Sequence, residues 1–431
     1  MKSGVENKKN GSDNWLFLHP YVYVSVKRDL AILYNTLNFK MLEYTSDSPI
    51  FKIIKRLNND YNLYVIKIKA DEIDSQIREF IDQIKNLFIG DVIDIAHSKR
   101  KPIQFKPILN LHRTLDSQSI EDGKSRVLSN DEIPDYLNSI TIYINNHCHH
   151  SCSICKDGYK QFLCCHKESR VRNQVSREHI ATLMDQVKNS ALHKLIITGG
   201  NVFDYPGFEE LVEYLNGTVI IKTYHFHYLQ IEDRTGFFKF VKEKNNKIVI
   251  TAHFPLDIGR FDRTMDILIR SRMTSYFDFQ FVVQKESDIE SSEVLVSKYR
   301  IDRFQLVPYF NDGNLDFFRE YVFLDKSSIL ESQPGMNDLL TRNFLNSSNF
   351  KDLNILSDQS FHANLNHPKI GKLGENHIME IIYKELHHGR SWTKTRKHVN
   401  PCKSCAFNSL CPPISNYEYA IGRYNLCHIK Q

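Results

Sequence analysis

The sequence predicts an α/β protein organised around a parallel sheet, preceded by a small α+β unit and followed by a cysteine-bearing extension. Three observations carry this expectation. Short apolar runs and helical patterns alternate six times between residues 138 and 310, as they do where crossover helices join parallel strands. Residues 1–94 follow a different pattern, dominated by aromatic and β-branched runs. Nine cysteines fall in two tight groups, Cys148, Cys152, Cys155, Cys164 and Cys165, then Cys402, Cys405, Cys411 and Cys427, with none between. Six β/α units can form an open doubly wound sheet or a partial barrel, and periodicity does not choose between them.

The 431 residues are 41% hydrophobic and 25% charged. That is close to a soluble globular average and excludes a wholly disordered, collagenous or short disulfide-stapled chain. At roughly 100–200 residues per domain, the length admits about two to four domains. No apolar run approaches the roughly 20 residues that span a bilayer. The start, MKSGVENKKNGSDNWLFL, lacks the apolar stretch and cleavage site of a secretory signal. A cytoplasmic protein with no membrane partner is therefore expected. The net charge of +5, from 56 Lys+Arg against 51 Asp+Glu, is too dilute to indicate nucleic acid, and none is expected as a partner. The densest basic run, HSKRK at 97–101, reads as a solvated linker.

Taken in order, WLFLHPYVYVSV, LAILYNTLN and FKMLEY read as strands. Ser48-Pro49 opens a helix with Ile50, Ile53, Ile54 and Leu57 on one face. LYVIKI is a further strand, and residues 71–88 form a helix through Ile73, Ile77, Phe80, Ile81, Ile84 and Leu87. Together these make a small domain of winged-helix type. Residues 95–137, with Pro102, Pro107 and Pro134, read as a linker. Strands are then expected at 139–145, 193–200, 218–226, 247–254, 275–283 and 304–310. Helices are expected at 176–187, 207–215, 236–244, 260–272 and 289–299. After Phe310 the alternation fades, and the chain reads as irregular up to its second cysteine group.

Cys148, Cys152 and Cys155 form a C-x3-C-x2-C loop directly after the first parallel strand. Ligand chemistry gathers at such strand ends. Three thiolates on one loop can hold three irons of a 4Fe–4S cluster and leave the fourth open to a small molecule. Zinc would need Cys164, Cys165 or a histidine as a fourth ligand. The adjacent Cys164 and Cys165 line a cavity, bind a further metal or are buried thiols. His147, His149, His150 and His166 crowd the same loop, as ligands, acid–base groups or structural residues. Thr251, His253 and Gln280 are weaker candidates on later strands. Cys402, Cys405, Cys411 and Cys427 give C-x2-C-x5-C-x15-C, enough to close one zinc or iron–sulfur centre.

On these residues the chain resembles the radical S-adenosylmethionine (radical SAM) superfamily, and its last cysteine group resembles the SPASM extension of peptide-modifying members. The resemblance implies a partial (β/α)6 barrel over 138–310, a winged-helix-like peptide-recognition domain over 1–94 and a SPASM-like domain over 311–431. It also implies a 4Fe–4S cluster on Cys148, Cys152 and Cys155, whose electron cleaves S-adenosylmethionine to a radical that abstracts hydrogen from substrate. Thr198-Gly199-Gly200-Asn201 falls where the superfamily carries Gly-Gly-Glu-Pro, so Gly199, Gly200 and Asn201 are the implied cofactor-binding residues. Asn201 departs from the acidic residue of that pattern, and Ile154 stands where an aromatic residue is common. A full SPASM domain has more cysteines and two auxiliary clusters; Cys402, Cys405, Cys411 and Cys427 imply one. The implied partner is a ribosomally made precursor peptide whose leader adds a strand to the N-terminal sheet. The alternative is an inactive pseudo-radical SAM adaptor that binds the precursor or a partner maturase. No residue is assigned a catalytic role.

Overall fold

A computed structural model of the chain describes residues 12–107, 133–168, 171–231, 246–270 and 276–429. The helix expected at 236–244 and residues 108–132 of the linker lie outside the described residues.

The first aromatic run divides into β1 (Asn14–Leu18) and β2 (Val22–Val26). Pro20 between them has no amide hydrogen for a ladder, and a turn closes with Val22 N donating to His19 O at 3.0 Å. β3 (Leu30–Asn35), β4 (Met41–Thr45), β5 (Val65–Ile68) and β6 (Gly90–Asp94) complete two antiparallel three-stranded sheets, ordered β5-β1-β6 and β2-β3-β4. Two helices pack on them. Pro49–Leu57 is capped by Ser48, which accepts from Ile50 N, and Ser75–Asn86 by Asp74, which accepts from Ile77 N. Their apolar faces, Ile50, Ile54 and Leu57 with Phe80, Ile81 and Ile84, bury against Leu16, Leu18 and Leu33.

β3 is covered on both faces. Ala31 and Leu33 point into that core, while Ile32 and Tyr34 pack on Ile329, Leu339, Phe407 and Leu410 near the far end of the chain. The strand's period of two puts alternate residues into two different cores. The N-terminal unit is thereby seated on the segment that carries the second cysteine group, an arrangement the sequence did not signal.

The central sheet has nine strands. β7 (Ser139–Tyr143), β8 (Lys194–Thr198), β9 (Ile221–His227), β10 (Asn246–His253), β11 (Phe277–Val283) and β12 (Phe304–Pro308) run parallel in sequence order. Every residue of β7 is buried, as expected of a strand in the interior of the sheet, between β8 and β13. The helices Arg177–Val187, Phe208–Asn216, Ile258–Arg270 and Glu286–Tyr299 fall close to their expected positions.

The expectation of irregular chain after Phe310 is corrected. β13 (Asp352–Ile355) pairs parallel with β7, and β14 (Ser360–His362) and β15 (Gly371–Lys372) continue the same sheet antiparallel. Ser139 Oγ donates to Asp352 Oδ1 at 2.7 Å across this junction. The helix Ile378–His388 buries Ile378, Ile381 and Ile382 in the main core. Among the described residues no helix is long and apolar enough to cross a membrane.

Candidate metal centres

β7 delivers the chain straight into the first cysteine loop. Cys148 and Cys155 are buried and Cys152 half-buried, and Cys155 N donates to Cys152 O in a tight 3-10 turn. Ile154 is fully buried against Val282 and Tyr309, so the aliphatic residue before the third cysteine anchors the turn in the core. The thiols of Cys152 and Cys165 both bond to Cys155, which draws the Cys155 pKa well below the ordinary thiol value; Cys152, tied to Cys155, is pushed up. Burial raises Cys148, whose thiol also meets the Gln230 side chain. Cys164 and Cys165 are both buried beneath the loop, and none of the nine cysteines is in a disulfide.

The segment after β8 locks onto this loop. Gly200 N donates to Asn145 O at 2.8 Å, Asn201 N donates to His147 O, and Asn145 Nδ2 donates to Asn201 O at 2.8 Å. Gly199 O accepts from His166 N, and Gly200 O accepts from Gln230 Nε2 at 2.7 Å. A Cβ on Gly200 would stand 2.1 Å from His147 O. The glycines thus permit a close approach between two strand ends of the protein itself. Asn201 caps the next 3-10 turn, its Oδ1 accepting from Phe203 N.

Two buried histidines complete the loop's surroundings. His227 ends β9 and His253 ends β10, with His227 Nε2 2.8 Å from His253 Nδ1 and 3.9 Å from Cys152 Sγ. Leu229 N donates to His227 Nδ1, which assigns the His227 proton to Nε2 and makes His253 Nδ1 its acceptor. Burial lowers the pKa of both rings, so they sit neutral beside the thiols. His253 is among the strand-end candidates of the sequence; His227 and Gln230 are not, although the polar run His225-Phe226-His227 closing a strand is a signal for the first of them. Gln280 holds the loop from below, its Nε2 donating to Leu163 O at 2.9 Å, and Thr251 Oγ1 lies 2.9 Å from His225 Nε2.

His225 carries a measurable consequence. Burial pushes its pKa down from 6.5 to about 3. Unfolded, the ring takes a proton below about pH 6.5. Its stabilising effect is therefore whole above that pH and is lost as pH falls toward the folded value, at about 1.4 kcal/mol per unit. Urea unfolding at pH 7 and pH 5 should differ by about 2 kcal/mol on this account, and His225→Leu should shrink the difference. An unchanged pH dependence in the variant would exclude this ring as its source.

The second cysteine group closes on one pocket. Cys402, Cys405, Cys411 and Cys427 all line it, with Arg396, Asn408 and Leu324. Cys405 N donates to Cys402 O, and Leu324 bridges Cys427. Burial pushes the Cys411 thiol up to about 12, Arg396 opposes that rise, and the other three cysteines reinforce it. Arg396 is the organising residue. Its guanidinium donates to Pro412 O, Pro413 O, Tyr424 O and both Glu418 oxygens, and its Nη1 lies 3.6 Å from Cys402 Sγ.

No family model matches the chain, and no curated protein matches it. The crystal structure of Streptococcus suis SuiB is similar over 96% of this chain and 100% of that one, with a TM-score of 0.50 at 14% identity. The crystal structure of Streptococcus suis SuiB bound to S-adenosylmethionine gives 0.48 at 15% identity, with the same coverage. At 14% identity the likeness is one of fold alone, that of a large, mostly parallel α/β sheet.

Proposed function

We propose that this chain is a radical S-adenosylmethionine enzyme that matures a ribosomally made precursor peptide. One observation carries the reading: the Cys148, Cys152 and Cys155 side chains gather at the carboxyl end of a central parallel strand. Three soft thiols from one loop, none in a disulfide, fit a 4Fe–4S cluster. Bound there, the cluster would supply the electron for reductive cleavage of S-adenosylmethionine. Gly199, Gly200 and Asn201 hold the loop and would border that cofactor. Ile154, Val282 and Tyr309 keep water from the loop's inner side. Cys402, Cys405, Cys411 and Cys427 would hold one auxiliary cluster, a closed one by their count. The precursor's leader would add a strand to an N-terminal sheet, where β4 is a half-exposed edge. Free thiols throughout suit the reducing cytoplasm.

A second reading, an adaptor without S-adenosylmethionine cleavage acting beside a partner maturase, is favoured by a specific feature. The carbonyls of Gly199, Gly200 and Asn201 already accept bonds from the chain itself, and His227 and His253 crowd Cys152.

The two separate in anaerobic reconstitution with iron and sulfide, followed by S-adenosylmethionine and dithionite. The enzyme yields 5′-deoxyadenosine, and Cys152→Ala abolishes it while the C-terminal centre remains loaded. A fully loaded wild type that forms no product with or without precursor peptide would overturn the enzyme reading and leave the adaptor.

A further inference from the structure

Beside the first cysteine loop lies a second donor set that shares none of its thiols. His147 and His149 flank Cys148, and Asp204 comes from the 3-10 turn after Gly200-Asn201. His147 Nδ1 lies 3.2 Å and His149 Nε2 3.8 Å from the same carboxylate oxygen, Asp204 Oδ2. All three atoms fall within 4.8 Å of one another. The imidazoles stand edge to face with centroids 4.7 Å apart, so their nitrogens converge without stacking. We infer that His147, His149 and Asp204 form a binding site for a divalent transition-metal ion, distinct from both cysteine centres.

The geometry suits such an ion. Bonds of about 2.0–2.1 Å to nitrogen and oxygen set tetrahedral ligand atoms about 3.3–3.4 Å apart. The separations here bracket that spacing, and only the exposed His149 has to move inward. Two imidazoles and one carboxylate with open positions select zinc or iron(II) over calcium or magnesium, which prefer all-oxygen shells. Two of the three ligands are held in advance. Asn201 N donates to His147 O, Asp204 N donates to Asn201 O at 3.0 Å, and the Asn201 side chain caps the turn between them. The acid missing at position 201 is thus present three residues later, where it meets histidines instead. An ion here would staple the cysteine loop to the Gly199-Gly200 segment and restrain Cys148 between its two ligands.

A plain His147–Asp204 hydrogen bond is the competing account, and cobalt(II) distinguishes the two. Cobalt bound by thiolates absorbs strongly in the near ultraviolet through sulfur-to-metal charge transfer; cobalt bound by nitrogen and oxygen gives only weak visible bands. Protein with its cysteine sites filled, by iron–sulfur clusters or by zinc, and then cleared of ions on nitrogen and oxygen ligands by a weak chelator, should take up one further cobalt ion per chain without the thiolate band. His149→Ala removes an exposed ligand without touching the core, and Asp204→Asn keeps the turn's shape; each should weaken that uptake at least about tenfold. Occupancy should also slow alkylation of Cys148 in cluster-free protein. Absence of the extra ion, a thiolate band on it, or undiminished uptake in both variants would overturn the site. Because zinc serves as well as clusters to fill the thiols, failure of cluster assembly does not decide this test.

Discussion

Arg396→Ala should destabilise the protein by about 3–5 kcal/mol, the range for removing one partner of a buried ion pair. Arg396 and Glu418 are 10% and 1% exposed at their side chains, and Nη1 meets Oε1 at 2.7 Å. Burial alone works against the charged guanidinium, and the Glu418 carboxylate more than offsets it. Without the arginine, Glu418 keeps, among the described residues, its bonds from Ser415 N and Oγ. Burial already raises its pKa, and loss of Arg396 raises it further. A carboxyl raised above its unfolded value loses stability as pH rises past that value. The variant should therefore be most impaired at neutral pH and partly restored in mild acid. Glu418→Gln in the same chain should recover part of the loss, since the stranded charge is then gone. The two backbone segments held by the guanidinium, Pro412-Pro413 and Tyr424, lie close to Cys411 and Cys427, and its Nη1 stands beside Cys402 Sγ, so a chelator should strip metal from the variant faster. Urea unfolding at matched metal content measures the first effect; a loss below about 1 kcal/mol would mean that the pair is a spectator.

Nothing in the sequence marks Arg396. It opens the run Arg396-Lys397-His398, which looks like a solvated basic stretch, and its partner lies 22 residues away. Only the fold, by burying that one member, turns it into a clamp. The cysteine spacings were legible because the members of each group lie close together in the sequence. The histidine pair was not, because the parallel register sets Thr251, two residues before His253, opposite His227 and so makes neighbours of residues distant in sequence. The six parallel strands were legible as short runs rich in apolar, aromatic and β-branched residues set between helical patterns. β13 was not. Its four residues, Asp-Leu-Asn-Ile, alternate between half-buried and buried, and it owes its place to backbone pairing with β7 and to the Ser139–Asp352 bond. Asp204 escaped notice for a similar reason, being carried to the histidines by the close approach of two strand ends.

That close approach makes Gly200→Ala the most telling single-methyl change in the molecule. An added Cβ would lie 2.1 Å from His147 O and 2.6 Å from both His147 C and N. These are backbone atoms, held by Asn201 N on one side, and cannot rotate away as a side chain would. One strand end must move, at a cost near the upper end for overpacking, about 3 kcal/mol. The displacement falls on His147 and therefore on Cys148 next to it. The expected result is a folded protein whose loop no longer gathers its three thiols. Iron incorporation at the first centre should drop while the C-terminal centre fills normally, and Cys148, now 7% exposed, should alkylate faster. Gly259→Ala is the matched control. Among the described residues its Cβ would meet Asp257 Oδ1 alone, at an ordinary 3.6 Å, and in the first turn of a helix the change should alter stability by no more than about 0.5 kcal/mol. If Gly200→Ala assembled the first centre as fully as this control does, the glycine would be no more than a turn residue. The loop would then owe its shape to Ile154 and Gln280 beneath it.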